Sequence, residues 1–161
     1  RRQRQMCIRV RSKGASISMN KLAIVYWSGT GNTEVMANCI AEGAKEAGAE
    51  VTLMGPADFS TARLSEFNVV AFGCPAMGAE VLEEMEFDPM FSGIESFLNG
   101  KRIALFGSYG WGDGQWMRDW CKRCDEHGAN LYDENGLIAN ETPDASAQEK
   151  CRELGRKLAA W

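Results

Sequence analysis

The chain has 161 residues, of which 45% are hydrophobic and 25% charged, and a formal charge of −4 at neutral pH. That length suits one domain with a full core, and the balance is that of a globule, not a disordered or fibrous chain. No segment has the length and apolarity of a membrane span, and the acidic excess argues against nucleic acid as a partner.

Residues 1–18 carry Arg1, Arg2, Arg4, Arg9, Arg11 and Lys13 without one acid. They show no hydrophobic periodicity and no apolar stretch of signal-peptide length. A basic, disordered extension is expected there, with the domain filling 19–161. From Met19 onward 12 basic and 22 acidic side chains leave a net −10.

Leu22 to Trp27 reads as a buried strand, and Glu34 to Ala47 as a helix with Val35, Met36, Ile40 and Ala44 on one face. Between them runs Ser28-Gly29-Thr30-Gly31-Asn32-Thr33. This loop opens a helix N-terminus, where free N–H groups and the macrodipole favour an anion. Ser28, Thr30, Thr33 and the Asn32 amide add side-chain donors, and two glycines let the backbone close around a tetrahedral group. The lysine of an ATP-type P-loop is absent, and Glu34 occupies the third-glycine position of a dinucleotide loop. A phosphate monoester is the expected occupant; an ordinary capped strand–helix turn is the alternative.

Glu50 to Met54 forms a second strand, Pro56 to Ser65 a loop with a helical turn, and Asn68 to Gly73 an apolar third strand. Phe91 to Leu98 is expected as a short helix closed by Asn99-Gly100. Arg102 to Gly107 is a fourth strand and Gln115 to Glu126 a helix. Asn130 to Asp133 and Leu137 to Ala139 form one bulged strand or two pieces. Ala145 to Ala160 is an amphipathic helix with Cys151, Leu154 and Leu158 inward. Strands this apolar are buried on both faces, which means a parallel sheet between helical layers.

In such a sheet the ligand sits beyond the carboxyl ends of the strands. Three loops leave those ends: Ser28–Thr33, Cys74–Glu80 and Ser108–Gly114. Pro75-Ala76-Met77-Gly78-Ala79-Glu80 offers a tight turn, an apolar side chain and a carboxylate. Ser108-Tyr109-Gly110-Trp111-Gly112-Asp113 offers an aromatic slab between glycines. Together they describe a flat aromatic ligand with a phosphorylated tail; taken singly, Met77 or Trp111 is more often core, but between glycines in a loop Trp111 has little reason to be buried by its own chain.

No Lys or Arg stands between Arg63 and Lys101, where Glu66, Glu80, Glu83, Glu84, Glu86, Asp88 and Glu95 lie. Such a surface steers basic protein patches toward itself, although acidic runs also make ordinary solvated faces. Of Cys7, Cys39, Cys74, Cys121, Cys124 and Cys151, only Cys121 and Cys124 have a suggestive spacing. They fall late in a helix, and with His127 as the sole histidine no metal set is complete. Reduced, incidental thiols in a cytoplasmic protein are expected.

The segments Tyr26-Trp27-Ser28-Gly29-Thr30-Gly31-Asn32-Thr33-Glu34, Gly73-Cys74-Pro75-Ala76-Met77-Gly78 and Leu105-Phe106-Gly107-Ser108-Tyr109-Gly110-Trp111-Gly112-Asp113-Gly114 resemble the short-chain flavodoxins of anaerobic bacteria, over about Met19 to Trp161. The resemblance implies a flavodoxin-like three-layer α/β sandwich, its five-stranded parallel sheet ordered 2-1-3-4-5 with helices on both faces, and FMN at the switch point. It places the FMN phosphate in the Ser28–Thr33 loop and the ring between Met77 and Trp111. Glu80 then accepts from the ring N3–H, and amides around Gly110 and Gly112 hold a ring carbonyl. The Gly78–Ala79 peptide flips on one-electron reduction, and Asn140 lies near the ribityl chain. Ala79 and Pro75 replace polar residues found in some relatives, which shifts the flip equilibrium and removes a ribityl contact.

The expected function is low-potential one-electron carriage in place of ferredoxin, with no catalytic residue and no metal. Reductases and ferredoxin-dependent oxidoreductases with basic docking surfaces are the expected partners of a monomer. An FMN-dependent NAD(P)H-quinone or iron reductase of the same fold is the alternative; it needs a cation for the nucleotide phosphate, where these loops supply acids. A receiver-type domain needs paired acids after strand 1 and an Asp after strand 3, where Trp27-Ser28 and Cys74-Pro75 stand.

Overall fold

Four strands run parallel through the middle of the molecule in a computed structural model that describes residues 20–161 and the backbone of Arg11–Ser12 and Gly14–Ala15. The expected 1–18 extension therefore falls, but for those four positions, outside the described residues. The elements are β1 (Lys21–Tyr26), α1 (Asn32–Glu46), β2 (Glu50–Met54), a 3₁₀ turn (Pro56–Asp58), α2 (Thr61–Leu64), β3 (Val69–Gly73), α3 (Phe87–Ile94), β4 (Arg102–Tyr109), α4 (Gln115–Glu126), β5 (Asn130–Leu131), β6 (Leu137–Asn140) and α5 (Ala145–Ala160). The sheet order is β2-β1-β3-β4-β5, with β6 pairing the same edge of β4 further along.

The fifth strand is thus two pieces in one line. Asn130 and Leu131 oppose Arg102 and Ile103, and Leu137–Asn140 oppose Phe106–Tyr109. Residues 132–136 bulge out opposite Ala104 and Leu105.

Strand alternation assigns each residue to a layer. Ala23, Val25, Val70, Phe72, Ile103 and Leu105 face one side, where Phe87, Phe91, Trp116 and Trp120 of α3 and α4 cover them. Leu22, Ile24, Val69, Ala71, Ala104 and Phe106 face the other, against α1 and α5. The first side is locked by edge-to-face aromatic contacts, Phe72–Phe91 at 5.2 Å and Phe87–Trp120 at 5.5 Å between centroids. Each such side chain, fully buried, stabilises by about 1.5–3 kcal/mol.

Two expected boundaries move. β4 continues to Tyr109 because β6 pairs it to the end, carrying Ser108 into the sheet. The helix expected from Phe91 begins at Phe87 and passes into a 3₁₀ turn at Glu95–Phe97. Its start is set by Glu83, a 5%-exposed carboxylate that accepts from the amides of Met85 (2.8 Å), Glu86 (2.8 Å) and Phe87 (2.9 Å). Pro89 falls in the first turn, where its missing N–H costs nothing.

Burial disfavours the Glu83 charge, but the three donated amides outweigh it, and its pKa lies below the ordinary 4.5. A depressed carboxylate contributes stability above its ordinary value, and the contribution is lost as pH falls through the folded value. Glu83→Gln is expected to cost about 2 kcal/mol at pH 7. The gap from the parent should narrow at pH 3, in urea unfolding at the two pH values. A gap that does not change with pH would remove the charge from this role.

The five described cysteines are buried and unpaired. Burial pushes the thiols of Cys74 and Cys151 up to about 12 and that of Cys121 to about 11, which suppresses thiolate chemistry. No helix among the described residues is long and apolar enough to cross a membrane.

Candidate cofactor site

β1, β3, β4 and β6 end at the same edge of the sheet, and the loops leaving them enclose a cavity of about 360 Å³. The first loop is braced from within. Ser28 Oγ accepts from the amides of Gly31 (3.1 Å) and Glu34 (3.3 Å), which leaves its own O–H free to donate. Gly31 precedes α1 with φ +96°, a conformation glycine takes without strain. Among the described residues the amides of Thr30, Asn32 and Thr33 have no hydrogen-bond partner. They are the orphan donors of a helix start, and with the α1 dipole they make an anion cradle.

The Thr33 hydroxyl turns away from that cradle. It is 1% exposed, lies 3.1 Å from Ser108 Oγ and accepts from Ser108 N at 3.3 Å, riveting α1 to β4. Trp27 lies under the loop, its Nε1 donating to Glu86 at 3.3 Å. A Cβ at Gly29 would come within 3.0 Å of the Trp27 ring.

The second loop folds as a small hairpin. Met77 and Val81 exchange N–H···O bonds of 2.8 and 2.9 Å, with Gly78 (φ +49°) and Glu80 (φ +56°) left-handed between them. Such a conformation costs a non-glycine residue about 1–2 kcal/mol. Glu80 also packs its carboxylate against Gly112 and accepts from Gln115 N at 3.2 Å. Gly78 and Ala79 are exposed, and the peptide joining them has no hydrogen bond among the described residues, so it is free to turn over.

The third loop follows Tyr109, which packs on Trp116 at 5.6 Å. Trp111 stands 56% exposed between Gly110 and Gly112, a large aromatic that the described residues leave about half uncovered.

Gly29, Thr30, Asn32, Pro75, Ala76, Met77, Ser108, Tyr109, Gly110 and Trp111 line the cavity; these are the residues on which the three sequence loops converge. Ser28, Gly31, Thr33, Gly78, Ala79, Glu80 and Gly112 stand behind or beside it. Asn140 does not line it; its Nδ2 donates to Tyr109 O at 3.4 Å. Two lining residues went unread, Glu141 and Thr142. Glu141 is held at φ +53° with its amide on Tyr109 O at 2.7 Å. Its acidic side chain carries no turn signal, so only an extension of the Asn140 reading by one position finds it.

Among the described residues no Lys or Arg lines the cavity. Beside it a smaller hollow of about 240 Å³ gathers Glu80, Glu84, Asp88 and Asp119, with only Arg123 to offset them. Arg123 is itself committed to Asp88 at 2.8 Å and to Glu95. The neighbourhood of the cavity is therefore negative.

The flavodoxin family model matches residues 24–155. The chain belongs to the flavodoxin family. It is 47% identical over 138 residues to the flavodoxin of Clostridium beijerinckii, covering 86% of this chain and 99% of that one. To the flavodoxin of Megasphaera elsdenii it is 45% identical over 136 residues, covering 84% and 96%. The solution structure of two-electron reduced Megasphaera elsdenii flavodoxin superposes with a TM-score of 0.76 at 42% identity, over 87% of this chain and 99% of that one. Flavodoxins are FMN-binding electron-transfer proteins, not enzymes, and redox partners follow from that role. The donor set fits FMN: unpartnered amides suit a phosphate, and a half-exposed indole in the same cavity suits a ring.

Proposed function

We propose that the Ser28–Thr33 loop holds the FMN phosphate, that Met77 and Trp111 flank the ring, and that the chain shuttles single electrons at low potential. What supports this is one observation: orphan amides at the α1 N-terminus open into the same cavity as the uncovered face of Trp111. Ser28, Thr30 and Asn32 add side-chain donors; Thr33 contributes its backbone amide and, through Ser108, the placement of the helix. Glu80, beside Gly112, is placed to accept a ring N–H. Asn140 braces the Tyr109 end of the wall.

Bound FMN supplies two separable one-electron steps. The residues set their spacing. Glu80, Glu84 and Asp119, with no cation among the described residues lining the cavity, raise the cost of added negative charge. The unbonded Gly78–Ala79 peptide offers either its N–H or its carbonyl as the ring changes protonation, at small cost because Gly78 tolerates either sign of φ. The same acids form the docking face for partners with basic surfaces, reductases and ferredoxin-dependent oxidoreductases. A cytoplasmic monomer completes the reading.

Titration of the apoprotein followed by flavin fluorescence is the test. FMN is expected to bind about a hundredfold tighter than riboflavin, the worth of two charge-assisted hydrogen bonds. Equal affinities would sink the phosphate assignment. NADPH alone should leave the yellow holoprotein unbleached; rapid bleaching would favour a reductase.

A further inference from the structure

We infer that Thr142 is a positioning residue for the anion cradle, acting through Asn32. Its Oγ1 donates to Asn32 Oδ1 at 3.2 Å, bridging 110 positions of chain between the β6–α5 loop and the first residue of α1. The inference rests on the reading that a phosphate occupies the cradle.

A carboxamide has one accepting and one donating end, and only the NH₂ end suits an anion. A freely rotating Asn32 at a helix N-terminus presents either end. With Oδ1 held by a hydroxyl that donates, the NH₂ end is the one left for an anion in the cavity, which Asn32 and Thr142 line together. Were the amide reversed, its oxygen would face the phosphate, and the repulsion would return it. The Thr142 hydroxyl therefore serves as the donor in the loaded protein.

Thr142 is itself held. Before it, Glu141 is tied by its amide to Tyr109 O at 2.7 Å with φ +53°; after it comes Pro143, whose ring fixes φ. Beyond lies Asp144, which caps α5 by accepting from Ala147 N at 2.8 Å. Both partners of the clasp thus sit at the N-termini of adjacent packed helices. The clasp holds the Asn32 side chain at the cradle before the anion arrives and the anion selects its NH₂ end, so less ordering remains to be done on binding.

The test compares FMN and riboflavin, which differ only in the phosphate, on the apoprotein of Thr142→Val, Thr142→Ser and Asn32→Ala. Thr142→Val is expected to weaken FMN about fivefold and to leave riboflavin within twofold, whereas Thr142→Ser keeps the parent ratio. In the Asn32→Ala background Thr142→Val should have no further effect on FMN, because the two residues act as one unit. Equal weakening of both flavins, or additive losses in the double variant, would overturn the inference and make Thr142 a loop-packing residue. Parent protein that binds FMN while Thr142→Val matches it also overturns the inference and leaves the proposed function intact. Parent protein that retains no FMN overturns both.

Discussion

Replacing Gly43 by alanine should lower the melting temperature of the apoprotein by roughly 4–8 °C, although alanine is the better helix former. α1 and α5 meet through two glycines. A Cβ at Gly43 would stand 1.8 Å from the carbonyl oxygen of Arg152, and one at Gly155 would stand 2.0 Å from that of Ile40. Both obstacles are backbone, so no rotamer change relieves them, and the helices must move apart. Overpacking of this kind costs about 1–3 kcal/mol and occasionally more, against a propensity gain of about 1 kcal/mol. With backbone on both sides the cost falls at the upper end, and a net loss of about 2 kcal/mol gives the stated shift for a domain of this size. Gly93→Ala is the control. That glycine is exposed on α3 with nothing within 4 Å of the new methyl, and its replacement should raise the melting temperature by about 2 °C. Thermal melts by circular dichroism read both, and a Gly43→Ala protein as stable as the parent would show that the helix pair yields freely. The consequence reaches the cavity, because α1 begins with Asn32 and α5 begins three positions after Thr142.

Much of this architecture was open to reading from the chain. The runs from Leu22, Asn68 and Arg102 are apolar because helices cover both faces of each strand, and both-face burial leaves a continuous signal. The three loops were readable because glycines and hydroxyls in a strand–helix turn have a stereochemical purpose. What stayed hidden depends on partners distant in sequence. The start of α3 was misplaced by four residues because its cap is Glu83, reaching forward from outside the usual capping position. Thr33 reads as a phosphate donor from its neighbours, yet its hydroxyl meets Ser108, 75 positions away. Glu141 takes a left-handed conformation that no glycine or asparagine announces, and with it Thr142 escaped notice. The Gly43–Gly155 contact likewise has no local signature, since each glycine alone reads as a weak spot in a helix.

Trp111→Ala should weaken FMN about thirtyfold, the largest loss expected from any single change in the cavity wall. The indole is 56% exposed, flanked by Gly110 and Gly112 and outside both core clusters, so its removal opens no cavity in the core. Covering such a ring with a second aromatic contributes about 2 kcal/mol from apolar burial and stacking, which is the thirtyfold. Gly112, at φ +79°, stands against the Glu80 carboxylate, so the Trp111 loop and the carboxylate proposed to meet the ring edge are one unit. Trp111→Phe keeps a ring and should recover most of the affinity. The electrical consequence has a definite sign. Without the indole, water reaches the ring face, and a negatively charged reduced ring is better solvated there than beside Glu80 and Glu84. The more negative of the two one-electron potentials should therefore rise, while the apoprotein's melting temperature stays where it was. Stepwise dithionite reduction followed by absorbance gives the potentials, and flavin fluorescence gives the affinity. Unchanged affinity with unchanged potentials would place the ring somewhere other than against Trp111. A fall in melting temperature alone would make the indole a piece of the fold, which its exposure argues against.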